Sequence, residues 1–280
     1  MGFFGKLFDK KECDLCGGEI GLLGNRKLED GNMCKHCASK LSPWFSDRRN
    51  STVEEIEAQL RYREENHAAL AGFAPVCRIG ENDYFIAELQ EGVPSRFVVC
   101  SSKDYMDENA DLIGFRDVSC CNIDIDEDRT EQKRTNDKGE MVSFNPPRYT
   151  YNYDFYVKLH IENNPYFDEI RFKLNNFSVD VRPDAFRADF MGDGIRGIGR
   201  MIFGGAGFDP NAYPEYSKYA KMCDEIEMLV DAGRRGVRLD GGDGQVCEPQ
   251  QDAAPNFCSN CGAPVSGGKF CANCGAKVGP

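Results

Sequence analysis

Residues 149–161 read Tyr-Thr-Tyr-Asn-Tyr-Asp-Phe-Tyr-Val-Lys-Leu-His-Ile, and this stretch indicates the class of fold more clearly than any other part of the chain. Its odd-numbered residues are all apolar or aromatic, whereas most of its even-numbered residues are polar or charged. Successive side chains of a β-strand point to opposite faces, so the alternation predicts a strand with one face in a core. After an Asn-Asn-Pro turn, residues 170–174 repeat the pattern and are expected to form an antiparallel partner.

Other secondary-structure signals surround this pair. Short segments rich in β-branched and aromatic residues predict earlier strands at 74–78, 84–89, 96–100, 112–115 and 118–125. Residues 129–147 lack such a signal and are expected to form a solvated hairpin loop. A last helix is predicted to start at Pro214, to place Tyr216, Tyr219, Cys223, Ile226 and Val230 on one face, and to end at Gly233. The predicted fold class is therefore α+β.

The order of six or seven antiparallel strands followed by one amphipathic helix resembles that of pleckstrin-homology-like or GRAM-like domains. The resemblance covers roughly residues 73–232 and rests on element order, because no sequence motif supports it. It implies a β domain that is closed at one end by a C-terminal helix.

A helix is expected to precede the β domain. Its start offers two capping-box pairs, Ser51 with Glu54 or Thr52 with Glu55. The apolar residues Val53, Ile56 and Leu60 share one face, and the helix is predicted to run to about Leu70. The charged residues 61–65 are expected to form a solvated face.

The N-terminal region contains two Cys-x-x-Cys pairs separated by seventeen residues, namely Cys13, Cys16, Cys34 and Cys37. This double spacing predicts a tetrahedral four-thiolate site of the structural kind, with zinc as the expected metal and iron as the alternative. A redox Cys-x-x-Cys is the other alternative, but it requires no second pair. A knuckle, then a hairpin around Asp30-Gly31, then a helix is the element order of a treble clef.

These residues resemble a small, uncharacterised bacterial zinc domain of unknown function. The resemblance covers about 40 residues and rests on the two cysteine pairs, Gly17, residues 19–24, Lys27-Leu28 and Asp30-Gly31. It implies a metal site and no activity.

A second four-cysteine set lies at the C-terminus. Residues 257–265 recur as 270–278 with seven of nine positions identical, and the repeat supplies Cys258, Cys261, Cys271 and Cys274. The two symmetric knuckles resemble a minimal zinc ribbon, in which metal binding must supply most of the stability. We therefore expect two Zn²⁺ ions per chain. Because four thiolates fill each tetrahedron, neither site leaves a position for substrate or water, and we expect no enzyme.

Composition and charge limit the possible partners. The chain has 280 residues and a net charge of −12, with +2 on residues 1–50, +1 on residues 251–280 and −15 between them. An acidic body makes a nucleic-acid partner unlikely. Phe3, Phe4, Leu7 and Phe8, at helical spacing among lysines, offer only a weak membrane contact. With fourteen cysteines and no export signal, the expected location is the cytoplasm.

The six remaining cysteines show no ligand spacing. Cys77, Cys100, Cys120, Cys121 and Cys223 are expected in the core, and Cys247 in a linker.

Two further motifs carry no expected function. The Gly-x-Gly-x-x-Gly at 192–197 lacks the strand and helix that a dinucleotide site requires, and Asp124, Asp126 and Asp128 lack the glycine and glutamate of a calcium loop.

The sequence thus predicts five parts: a treble-clef-like module at 1–50, a connecting helix at 51–72, the β domain at 73–232, a flexible linker at 233–256 and a zinc ribbon at 257–280. The leading hypothesis for the function is a non-catalytic, cytoplasmic zinc-binding adaptor with a protein partner. The alternatives are a peripheral membrane protein, which would use the β domain or the N-terminal segment, and a nucleic-acid binder that would use the ribbon.

Overall fold

The computed structural model describes residues 11–21, 23–102, 105–106, 108–183 and 208–239. These residues form three α-helices and twelve strands, and every strand pairing is antiparallel, which confirms the α+β class. The first ten residues, the glycine-rich motif at 192–197, the linker beyond residue 239 and the predicted ribbon at 257–280 lie outside the described residues.

The N-terminal region consists of two short hairpins and two helices. The strands are β1 (Lys11–Glu12) with β2 (Glu19–Ile20) and β3 (Arg26–Lys27) with β4 (Asn32–Met33). The single-turn helix α1 (Lys35–Ala38) comes one residue after β4, and fourteen residues separate it from α2 (Val53–Leu70). Of the two possible capping boxes, Thr52 with Glu55 forms: Glu55 N–H donates to Thr52 Oγ1 at 3.3 Å, and Thr52 N–H donates to Glu55 Oε2 at 2.8 Å.

The β domain contains two antiparallel sheets. The first follows chain order: β5 (Cys77–Ile79), β6 (Tyr84–Gln90), β7 (Val93–Cys100) and β8 (Ile113–Gly114). The second is built around β10 (Met141–Ile161), which pairs along one edge with β9 (Val118–Thr135). Along its other edge β10 pairs with β11 (Glu169–Lys173) and then with β12 (Val179–Val181).

The core lies between the two sheets and the last helix, α3 (Pro214–Arg235). The odd-numbered residues of β10 from Tyr153 to Ile161 are all buried, as the alternation predicts. Phe155 contacts the rings of Tyr216 and Tyr219 on α3 at centroid distances of 5.0 and 5.5 Å. The helix therefore packs its predicted apolar face on the same side of β10 that the sequence assigns to the core.

The expectation of a loop at 129–147 is wrong. Strands β9 and β10 continue their pairing to Thr135 and Met141, and none of residues 124–152 is buried. We call residues 128–152 the β-ribbon arm; eight residues on β9 give it a length of about 25 Å. Instead of a buried core, the arm has cation–π contacts between arginines and aromatic rings. Arg129 lies 4.6 Å over the ring of Tyr149, and Arg148 lies 4.5 Å over that of Phe144.

The end of α3 also differs from expectation. The helix continues past Gly233 to Arg235, and Gly236, at φ +64°, caps it. Gly233 is buried, and a Cβ there would lie 2.5 Å from the side chain of Phe115, which accounts for a glycine inside a helix. Leu239 N–H donates to Gly92 O at 2.9 Å, so the first residues of the predicted linker are fixed on the β domain.

The cysteines expected in the core divide into two groups. Cys77, Cys100 and Cys223 are buried, whereas Cys120 and Cys121 on β9 are half-buried. Cys77 also differs from the expected free thiol because it is disulfide-bonded. Cys247 lies outside the described residues.

Candidate metal centre

The four N-terminal cysteines converge on one point. Their Sγ atoms all lie within 4.8 Å of one another; Cys13 is 3.9 Å from Cys37, and Cys16 is 3.8 Å from Cys34. A zinc ion with four Zn–S bonds of about 2.3 Å requires S···S edges of about 3.8 Å. The sulfurs therefore fit a tetrahedral metal, and they lie too far apart for a disulfide, whose bond is about 2.05 Å. Zinc and iron share this arrangement of ligands.

The first pair is held by the turn between β1 and β2. Gly17 has φ +68°, and its N–H donates to Cys13 O at 2.8 Å, while Cys13 N–H donates to Gly18 O at 2.9 Å. A Cβ on Gly18 would lie 3.3 Å from Cys16 Sγ, closer than most such contacts. Both glycines are thus required for local reasons: the first by its left-handed backbone and the second by its proximity to the sulfur.

The second pair is placed by the start of α1. Cys34 is the N-cap residue, and its sulfur accepts from Cys37 N–H at 3.4 Å. Cys34 N–H in turn donates to Cys13 Sγ at 3.3 Å, so a backbone donor links the two pairs. Donors aimed at thiolates stabilise their negative charge, which a four-thiolate site requires because it carries a net charge of about −2 with a divalent ion.

Burial and hydrogen bonding act in opposite directions on the thiols. Burial raises the pKa of Cys13, but the N–H groups of Cys34, Cys16 and Leu15 overcome it and lower the pKa to about 6. Burial raises the pKa of Cys37 far above its ordinary value, and the neighbouring sulfurs raise it further. Without metal, the site thus holds one thiolate near neutral pH and retains at least one proton that a metal ion must displace.

A small apolar core supports the site and includes the beginning of α2. Leu28, Met33 and Ile56 are fully buried there together with Cys13 and Cys37. The β3–β4 turn lies against α2 so closely that a Cβ on Gly31 would be 2.6 Å from Val53 Cγ2. Asp30 Oδ1 accepts from Val53 N–H at 2.8 Å. The first turns of α2 therefore belong structurally to the metal module.

Residues 11–59 match a family described as a domain of unknown function, DUF4428. The match contains all four clustered cysteines and ends inside α2, in agreement with the extent of the small apolar core. It confirms the predicted N-terminal domain of unknown function with a four-cysteine cluster. No curated protein and no solved structure matches the chain.

The N-terminal module is joined to the β domain through a polar junction, formed by Ser42, Arg63, Asn66, Asn109 and Asp111, of which all but the half-buried Asn109 are buried. Arg63 on α2 is 3% exposed and forms an ion pair with Asp111, which is fully buried. Asp111 also accepts from Ser42 Oγ at 2.8 Å. The prediction of a solvated face at residues 61–65 is therefore wrong for Arg63, because a carboxylate 48 residues away lies opposite its guanidinium.

Two asparagines complete the junction. Asn109 Nδ2 donates to Lys40 O at 2.9 Å and to Leu41 O at 3.0 Å, while Asn109 Oδ1 accepts from Arg63 at 2.9 Å. Asn66 accepts from Leu112 N–H at 2.8 Å and donates to Ala110 O at 2.7 Å. The junction thus fixes the segment after α1, the middle of α2 and the loop before β8 together.

The spacing of α2 contained a signal for this junction. The buried residues of the helix are Ile56, Gln59, Arg63, Asn66 and Leu70, which follow one face at intervals of three and four. Polar residues that continue an apolar helical stripe can be recognised as candidates for burial, although their partners cannot be found from the helix alone.

The remaining candidate sites have simpler outcomes. Cys258, Cys261, Cys271 and Cys274 lie outside the described residues, so the second zinc site stays a prediction. Asp124 and Asp126 lie on β9 beside Arg171, which is 3.4 and 3.8 Å from their carboxylates. None of the helices in the described part of the chain is long and apolar enough to cross a bilayer.

Proposed function

We propose that the protein is a non-catalytic, zinc-stabilised adaptor that binds a protein partner in the cytoplasm. The observation that supports it most is the closed set of four sulfurs, whose S···S distances leave no ligand position for water or substrate. In this proposal the N-terminal module is a treble clef, the middle is a pleckstrin-homology-like domain, and a C-terminal zinc ribbon holds a second Zn²⁺ ion.

The β-ribbon arm offers a surface for the partner. It presents Tyr149, Phe144 and their stacked arginines on a ribbon without buried residues. Tyrosine, phenylalanine and arginine are enriched in protein interfaces, where they contribute a large share of the binding energy. A two-stranded ribbon has little stability of its own, so a partner that covers the arm would also stabilise it.

The metal content tests the structural part of the proposal. Elemental analysis of the full chain, purified under reducing conditions without chelator, should find two zinc ions per chain. Cys16→Ser should lower this to one, whereas Cys120→Ser, which changes a half-buried cysteine outside the cluster, should leave it at two. Iron in place of zinc, or an equal loss in both variants, would contradict the assignment.

Trimming the arm tests the adaptor role. Arg129 and Tyr151 are opposite each other on β9 and β10, so replacing residues 130–150 with Asn-Gly should close a two-residue hairpin without disturbing the core. The trimmed chain should keep its metal and its unfolding midpoint but lose the partners that chemical cross-linking in native lysate captures with the wild-type chain. Identical cross-linked partners for both chains would exclude the arm as the partner surface.

A further inference from the structure

The turn between β2 and β3 exposes an apolar side chain on the metal module. Leu23 is 86% exposed, as much as Phe177 and more than any other large hydrophobic residue in the described part of the chain. Gly24 N–H donates to Gly21 O at 2.8 Å, which closes a tight turn with Leu23 near its tip. The turn begins at the end of β2, five residues after Cys16, so the metal site and β1–β2 hold it in place.

Cationic side chains surround this tip. Arg26 Nη1 lies 3.5 Å from Leu23 O, and Arg48 Nη1 donates to Lys27 O at 2.7 Å, so the turn after Asp47 brings its arginines beside β3. Burial lowers the pKa of Arg48, and the positive charges of Arg26 and Arg49 lower it further, as expected for cations that crowd one another.

We call Arg26, Arg48 and Arg49 together with Lys27 the arginine cluster. Within the described residues, none of the four is in an ion pair with a carboxylate. Five other arginines, Arg63, Arg96, Arg171, Arg182 and Arg235, each have an acidic partner, and the four cations here are distinguished by their position beside one another and beside Leu23. Uncompensated cations in a chain with a net charge of −12 indicate an anionic partner.

We propose that Leu23 and the arginine cluster form a docking surface for an anionic lipid bilayer. Leu23 would enter the boundary between headgroups and acyl chains, and the arginines would contact lipid phosphates. A soluble anion would use the cations but has no need of the exposed leucine beside them, and this favours a bilayer. The inference goes beyond the adaptor function and does not depend on it.

The acidic body does not prevent this contact. At physiological ionic strength the Debye length is about 8 Å, so carboxylates farther than this from the headgroups are largely screened. The surface therefore predicts one orientation, with the metal module against the bilayer and the β domain directed away. Each cation at the surface contributes about fivefold to binding, so the interaction should be reversible and sensitive to salt.

Flotation of the full chain tests the proposal, using phosphatidylcholine vesicles with and without phosphatidylglycerol. Binding should require phosphatidylglycerol. Leu23→Ser should lower the partition coefficient by about tenfold, and Arg26→Gln with Arg49→Gln by about 30-fold. The matched controls are Phe177→Ser, at the same 86% exposure, and Arg182→Gln with Arg235→Gln, which removes the same charge. Both controls should bind as the wild type does.

Several outcomes would overturn the inference. Equal losses in the test and control variants would indicate a general charge or solubility effect. If Leu23→Ser has no effect while inorganic phosphate at constant ionic strength abolishes binding, the cluster binds a free anion and not a bilayer. If deletion of residues 2–10 abolishes binding and the Leu23 and arginine variants retain it, the N-terminal segment is the membrane contact. A zinc content equal to that of the wild-type chain in every variant shows that the module remains folded.

Discussion

Replacing Arg63 should loosen the attachment of the metal module to the β domain and lower the stability of the whole chain. In Arg63→Met the fully buried carboxylate of Asp111 loses its cation. Breaking one partner of a buried ion pair costs about 3–5 kcal/mol, because the remaining charge has neither solvent nor counter-ion. Two contacts limit the loss: Ser42 still donates to Asp111, and Ala110 O still accepts from Asn66. We therefore expect the lower end, about 3 kcal/mol.

The cost should depend on pH. Burial raises the pKa of Asp111, and in the wild type the charge of Arg63 opposes this rise. Without Arg63 the folded-state pKa rises further above the unfolded value, so the folded variant binds more protons than the unfolded chain. Its unfolding free energy must then increase as the pH falls through the raised folded pKa towards the unfolded pKa. The destabilisation of Arg63→Met should accordingly be largest at neutral pH and smaller in mildly acidic buffer.

Urea unfolding with zinc present measures both effects. A loss of about 3 kcal/mol should lower the midpoint by about 1–2 M. The exposed ion pair of Arg235 with Asp231 provides the matched control, and Arg235→Met should cost less than about 0.5 kcal/mol. Adding Asp111→Asn to Arg63→Met removes the orphaned charge and should recover part of the loss. If Arg63→Met costs no more than Arg235→Met, or the two junction changes add independently, the junction does not hold the module as argued.

Three further predictions follow from single contacts. Burial raises the pKa of Glu88, but hydrogen bonds from Ala74 N–H and Arg96 lower it below its ordinary value. Wild-type stability should therefore fall as the pH drops through that lowered pKa, and Glu88→Gln should flatten this dependence in acid unfolding. Gly233→Ala would force a Cβ within 2.5 Å of Phe115 and should cost about 1–3 kcal/mol by thermal unfolding; no change would mean that α3 shifts freely. Limited proteolysis should cut first within residues 240–256 and spare 236–239, because Leu239 is hydrogen-bonded to Gly92.

Sequence patterns predicted the elements whose burial is one-sided. The alternation along β10 identified its core face because every second residue is buried, and the Thr52–Glu55 box identified the start of α2 because a capping box is local. The four-cysteine cluster could be found from spacing alone, since one Cys-x-x-Cys supplies two corners of a tetrahedron and a second pair supplies the other two.

Sequence patterns gave wrong predictions where no other element covers a strand, or where the burial of a side chain depends on a residue far away in the sequence. Residues 129–147 of the β-ribbon arm have solvent on both faces, so they show no alternation and looked like a loop. Arg63 looked solvated because the burial of a cation depends on Asp111, which no pattern within α2 can indicate. The pleckstrin-homology-like assignment, the domain boundaries and the C-terminal ribbon stay predictions.

The four-cysteine cluster and the polar junction stabilise different parts of the structure. The cluster supports the hairpins that pack on the first turns of α2, and the junction fixes the middle of α2 to the β domain. About fifty residues bury little surface on folding, and a metal ion held by the four cysteines would stabilise the hairpins around the small core of Leu28, Met33 and Ile56. An apolar contact with the β domain would hold this module equally well, but it would permit several orientations. A buried ion pair with directional hydrogen bonds tolerates only one. The junction at Arg63 therefore explains how the N-terminal module can present Leu23 and its arginines in a fixed direction.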